Sequence, residues 1–341
     1  MLHVKNLFGP LLILTCFTGA CNGPHIPTRS HVENTEESMP SKRKAVILLH
    51  GLWSDASCLH KTEHNLRARL TDDIELCSLT ERATSAISIS EQAARLRSML
   101  LTRGMQRQRY QLIFLGQSQG GLRAYAFWQQ FSSEFDIRGL ITVGTPWQGA
   151  PAATLTKHKV KAWLNSTIGH CLLHLVSYYY PNVTQDLTPT WVDTHFDRYL
   201  PTHEPGVQDL APNSLFLRHV TGSLSESQLP ILATGGTNGD VYKVLPENNA
   251  YTGYLRRLPT SALNAAYAQL IIGGVWEKHD MMVPLSSQLA LGTSTGPDFE
   301  TCVIPDGIHD LLPGLSINED QVAYNHPVFL EQAVRFIGSR F

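Results

Sequence analysis

Charge is scarce in this sequence and nearly balanced. Only 16% of its 341 residues are Asp, Glu, Lys or Arg, 27 basic against 29 acidic, for a net charge of −2. So few charges beside 43% hydrophobic residues exclude a disordered chain. The balance excludes a protein that wraps nucleic acid along a basic face, so no nucleic-acid partner is expected. Cysteine is sparse as well. The six cysteines make no C-x-x-C pair and no zinc-ligand spacing, and no metal or other cofactor is expected. No unit of about 20–50 residues repeats, which excludes solenoids and propellers. Long apolar runs are missing too, except one at the very start. The length that remains suits one large domain, or two ordinary ones, with a substantial core.

The exceptional run is Leu7 to Phe17, behind Lys5. It is too short for a usual membrane span and reads as an export signal over residues 1–20. The next residues, Thr18-Gly19-Ala20-Cys21, resemble the cleavage box of bacterial lipoproteins, with Thr18 where leucine is preferred. That resemblance implies lipidation of Cys21 and attachment to a membrane in the cell envelope; plain secretion is the other reading. Residues 21–43 are polar and proline-containing and read as a flexible tether. Cys58, Cys77, Cys171 and Cys302 would then be exported. They allow two disulfides in three connectivities, or they remain free thiols.

Folding is expected over 44–341. Lys44 to His50 is a continuous apolar run, as in a strand buried on both faces. Further strands are expected at Ile74–Leu79, Tyr110–Leu115, Gly139–Val143, Ile231–Thr234 and Phe299–Ile304. Helices alternate with them. One opens at the Ser88-x-x-Glu91 capping box, carries Ala93, Leu96 and Leu100 on one side and stops at Gly104. Others cover Leu122–Phe131 and Val328–Ile337. This alternation predicts an α/β fold with a mostly parallel sheet flanked by helices. The pattern breaks from about 151 to 228, which reads as a cap insertion. Within it Ile168, Leu172, Leu175, Val176 and Tyr179 fall at helical spacing, as an amphipathic gating helix or a helix packed permanently on the core.

The chemistry sits at two strand ends. Gly116-Gln117-Ser118-Gln119-Gly120-Gly121 satisfies G-x-S-x-G, with a buried strand before it and a helix after it. A serine hydroxyl needs exposure and an adjacent base to become a nucleophile, and a sharp strand-to-helix turn exposes it. His50-Gly51-Leu52-Trp53 closes the first strand. Acyl transfer requires two N–H donors aimed at the oxyanion, and Leu52 and Gln119 are the candidates.

These passages resemble the α/β-hydrolase superfamily, in particular its lipase branch. Leu49 to Leu52, Leu115 to Ala124, Ile141 to Gly149 and Gln208 to Leu217 carry the likeness. Trp147 stands where that branch often has histidine. The S-Q-G-G elbow also resembles that of palmitoyl-protein thioesterases. The family's order of Ser, acid, His puts the base after the last strand, at His309, with His326 as the rival. Glu277 to Ser287 is similar to the lipase "NDGxVPxxS" passage and carries its aspartate onto Asp280, although Met281 replaces a glycine. Asp240, in the glycine-rich Gly235–Asp240 turn, is the alternative acid. Asp306 and Asp310 read as solvated loop acids. The resemblance implies an exported serine esterase with a Ser118–His309–Asp280 triad acting on lipid-like esters. A thioesterase or acyltransferase, and a non-catalytic binding protein on the same scaffold, are the alternatives.

Overall fold

The computed structural model describes residues 41–167, 192–193, 196–197, 201–244, 259–310 and 318–341. The export signal, the tether as far as residue 40, Cys21, Cys171 and the amphipathic stretch from Ile168 to Tyr179 lie outside them; the tether's expected last residue, Arg43, already belongs to the first strand. Six strands, β1 (Arg43–Leu49), β2 (Ile74–Leu79), β3 (Tyr110–Gln117), β4 (Asp136–Val143), β5 (Ile231–Gly236) and β6 (Phe299–Ile304), form one sheet in the order β2-β1-β3-β4-β5-β6. Every pairing is parallel. All six carboxyl ends therefore open on the same edge. The order reverses between β1 and β3, where loops diverge and leave a crevice.

Why β1 reads as an unbroken apolar run is visible in its packing. Ala45, Ile47 and Leu49 point into one core and Val46 and Leu48 into the other. All five are at most 1% exposed. On the first face lie α2 (Ile89–Thr102), α3 (Gln119–Phe131) and α5 (Leu215–Leu224); on the second lie α1 (His60–Arg67) and α7 (Pro327–Arg340). The result is three layers, helices on both faces of the sheet. Burial of each large aliphatic side chain contributes roughly 1.5–3 kcal/mol.

Local signals behave as their chemistry requires. Ser88 caps α2, its Oγ accepting the Glu91 N–H at 3.2 Å. His326 caps α7, its Nδ1 accepting the Val328 N–H at 3.2 Å. The helix after β3 starts at Gln119, three residues before the apolar pattern suggests, because the turn at Ser118 is immediate. Between β4 and β5 the described residues of 144–230 lie outside the sheet. There α4 (Lys157–Leu164) lies away from the sheet cores, whereas α5 packs Leu217, Val220 and Leu224 beside α3. The end of the expected insertion is thus a core helix. Cys58, Cys77 and Cys302 carry free thiols. No helix among the described residues is long and apolar enough to cross a membrane.

Candidate active site

Ser118 stands between β3 and α3 with φ 53° and ψ −125°. That backbone region is costly for a residue with a side chain, and the surroundings over-determine it. The Ser118 N–H donates to the Val143 carbonyl at 2.9 Å, and its own carbonyl accepts from Thr145 Oγ1 at 2.9 Å. A Cβ at Gly116 would lie 2.4 Å from the Gly121 backbone, and one at Gly120 would lie 2.3 Å from the Leu49 carbonyl oxygen. The glycine spacing of the motif is therefore steric: β3, α3 and the end of β1 touch through their backbones.

The three residues expected to form a triad meet, although they are far apart in sequence. His309 Nε2 lies 2.9 Å from Ser118 Oγ, and His309 Nδ1 lies 2.7 Å from Asp280 Oδ2. The other carboxylate oxygen of Asp280 accepts the Met282 and Val283 N–H groups at 3.0 and 2.8 Å. The backbone joins the same two segments, with the His309 N–H donating to the Asp280 carbonyl at 2.8 Å. Asp280 is fully buried, and among the described residues these donors are the partners of its carboxylate. Burial pulls the His309 imidazole down, but the Asp280 charge, its hydrogen bond and the Asp310 charge outweigh burial and hold the pKa above the ordinary value.

The rivals go elsewhere. Asp240 Oδ1 accepts the Tyr242 N–H and faces the Asn264 amide, closing its own turn. His326 is the α7 cap described above. Asp306 is an exposed loop acid paired with Lys243 at 2.9 Å. Asp310 corrects the reading of a solvated acid. It is half-buried, accepts the Tyr324 hydroxyl and the Gln117 side-chain amide, and adds to the field on His309. Its position next to His309 was the signal; the Tyr324 contact, arriving from the segment before α7, had none.

Met281 departs from the glycine of the resembling passage, and the backbone shows what glycine does there: φ is 80°. The strained turn is held by the Tyr267 hydroxyl, which donates to the Met281 carbonyl, and by the Met281 N–H, which donates to His279 Nδ1. Tyr267 ends α6 (Thr260–Tyr267) and stacks on the His279 ring. Trp147 is a packing residue, fully buried and edge-on to Tyr125. Its segment is bolted to the acid's segment: Ser287 Oγ donates to the Gly149 carbonyl at 2.7 Å and accepts the Gln148 N–H at 3.1 Å.

The candidate oxyanion donors flank Ser118. Gln119 is the first residue of α3, so no preceding helical turn can accept from its N–H, and the helix N-terminus favours negative charge there. Gly51 brings the Leu52 loop so close that a Cβ on it would sit 2.8 Å from the Ser118 Cβ. A cavity of about 610 Å³ lies on the cap side, with Pro151, Leu155, Trp163 and Leu270 among its walls; neither Ser118 nor His309 lines it. Among the described residues no group of three or more His, Cys, Asp or Glu is placed to hold a metal ion.

No protein-family model matches the sequence, and no curated protein matches it. Solved structures do. Phospholipase PlaB from Legionella pneumophila superposes with a TM-score of 0.52 at 14% identity, covering 88% of this chain and 60% of that one. The mature lipase BlEst2 from Bacillus licheniformis gives 0.46 at 12% identity, covering 89% and 96%. Naproxen esterase from Bacillus subtilis gives 0.40 at 15% identity, covering 87% and 84%. With one parallel sheet, helices on both faces and the sharp Ser118 turn after β3, the chain has an α/β-hydrolase fold.

Proposed function

We propose that the protein is a serine hydrolase of carboxylic esters with a lipid-like acyl group. The observation that carries this reading is the continuous hydrogen-bonded line from Ser118 Oγ through His309 to Asp280. In it Ser118 attacks the acyl carbonyl while His309 Nε2 takes the hydroxyl proton. Asp280 holds the Nδ1–H tautomer and stabilises the imidazolium. The Leu52 and Gln119 N–H groups stabilise the oxyanion. His309 then protonates the leaving alkoxide, and a water activated by the same imidazole releases the acid and restores Ser118.

The lipid-like acyl group draws on the sequence likeness to the lipase branch and on the shared fold of a phospholipase. The export reading draws on the apolar run from Leu7 to Phe17 and the box ending at Cys21. It places the enzyme in the cell envelope, lipid-anchored, or outside the cell. Loss of membrane association in Cys21→Ala would separate anchoring from secretion.

The test of the chemistry is a fluorophosphonate probe with a chain-length series of p-nitrophenyl esters and an acyl thioester. Labelling of the wild type, its loss in Ser118→Ala, and a preference for longer acyl esters are expected. Preference for the thioester would move the reading to a thioesterase. A folded wild type that is neither labelled nor active would overturn the enzyme reading and leave a binding protein.

A further inference from the structure

Behind the Gly51–Trp53 turn lies a buried polar cluster with no part in the steps above. Thr84, 3% exposed, sits in the loop after β2. Its hydroxyl accepts the Trp53 N–H at 3.0 Å. Its carbonyl accepts the side-chain amide of Gln119 at 3.1 Å and that of Gln92 at 2.8 Å. One residue therefore ties together the two segments that carry Leu52 and Gln119. Trp53 has φ 55°, a strained value for an aromatic residue, and the Thr84 bond restrains it there.

His50 completes the arrangement. Its Nε2 accepts the Glu81 N–H at 3.0 Å, so the proton sits on Nδ1, which donates to the Gly51 carbonyl at 2.8 Å. In a trans peptide the C=O and N–H point in opposite directions. Tying the Gly51 oxygen to the imidazole thus turns the Leu52 N–H away from it and fixes the peptide against flipping. Arg123, buried on α3, donates to the His50 carbonyl at 3.0 Å and fixes the preceding peptide. Burial first, and then the Arg123 charge, push the His50 pKa down to about 3, so the imidazole stays neutral and the lock stays closed at working pH.

We propose that Thr84 and His50 are positioning residues that hold the Leu52 and Gln119 N–H groups in register as an oxyanion hole. This rests on the serine-hydrolase reading. Neither residue touches the substrate; each acts through the backbone of a donor segment.

Thr84→Val tests it, because valine keeps the shape and removes the acceptor for Trp53. On a p-nitrophenyl ester, kcat should fall about tenfold to a hundredfold, less than the loss of a whole donor. KM should stay within about twofold, and affinity for a boronic acid that forms a tetrahedral adduct should weaken by the same factor as kcat. The acid limb set by His309 should not move. Thr84→Ser, which retains the acceptor, should return kcat to within about threefold of wild type. A folded Thr84→Val with wild-type kcat and boronate affinity would overturn the proposal. So would a shift of the acid limb, which would mean that Thr84 acts through His309. If the valine variant does not fold, Thr84→Cys gives the same comparison, its thiol being a weak acceptor. A wild type that the fluorophosphonate does not label would overturn the hydrolase reading along with this one. A labelled wild type beside an unimpaired variant would overturn this one alone.

Discussion

Asp280→Asn is nearly isosteric, yet the structure makes it a severe change. One carboxylate oxygen faces two backbone donors, the Met282 and Val283 N–H groups, at 3.0 and 2.8 Å. An asparagine must keep its carbonyl oxygen there, because an NH2 group would oppose two N–H donors. Its NH2 then faces His309 Nδ1, which the aspartate oxygen meets at 2.7 Å. To accept that donor Nδ1 must lose its proton, so Nε2 carries it and cannot take the proton of Ser118. The backbone bond from His309 to the residue-280 carbonyl survives, so the ring stays in place in the wrong tautomer. In a Ser-His-Asp triad this exchange costs about 10⁴ in kcat. Here about 10³–10⁴ is expected, or about 4–5.5 kcal/mol of activation free energy. KM should change little, because Asp280 is fully buried and has no surface to offer a bound ester. Asp240→Asn is the control. Its amide oxygen can still accept the Tyr242 N–H, which the aspartate accepts at 3.0 Å, so turnover should stay within about threefold of wild type. The assay is steady-state ester hydrolysis with parallel fluorophosphonate labelling rates. Near-wild-type turnover in Asp280→Asn, or a loss of orders of magnitude in Asp240→Asn, would refute the assignment of the acid.

Three further outcomes follow from the same contacts. His309 must be neutral to accept a proton and its pKa is raised, so kcat/KM should fall with pH through a midpoint above the ordinary 6.5. Asp310→Asn should move that midpoint down, and a limb that stays put would show that Asp310 does not act on the base. His50 titrates near 6.5 when unfolded and at about 3 when folded, so the unfolded state binds the extra proton between those values. Its contribution to stability is present above 6.5 and drains away as pH falls, by up to about 1.4 kcal/mol per pH unit; urea melts that stay flat across this window would contradict it. Gly120→Ala would place a methyl 2.3 Å from the Leu49 carbonyl oxygen, whereas a Cβ on Gly222 meets nothing within 4 Å. The first should destabilise by roughly 1–3 kcal/mol and slow labelling, and the second should stabilise helix α5 by up to about 1 kcal/mol; denaturant midpoints moving the other way would refute the steric argument.

What the sequence disclosed and what it hid divide along a physical line. Strands buried on both faces betray themselves as apolar runs, so β1 and β3 are legible to within two residues, and the partly buried edge strands Ile74–Leu79 and Phe299–Ile304 are legible to the residue. The elbow is legible because tight backbone contact admits only glycine at Gly116 and Gly120. Asp280 is reached only through the resemblance to the lipase passage, in which Met281, at φ 80°, replaces a glycine. The supports of these residues carry no such mark. Thr84, His50, Arg123 and Tyr324 act through a few individual hydrogen bonds, and such bonds impose no period, spacing or composition on the chain. What could have pointed to Thr84 is topology. β2 lies beside β1 in a parallel sheet, so the loop after β2 must open on the edge where Gly51 and Ser118 sit. Polar residues following any strand of such a sheet therefore have a claim on the site that their own sequence does not state. For Thr84 that claim is concrete, because removing one hydroxyl acceptor tests it without touching the triad.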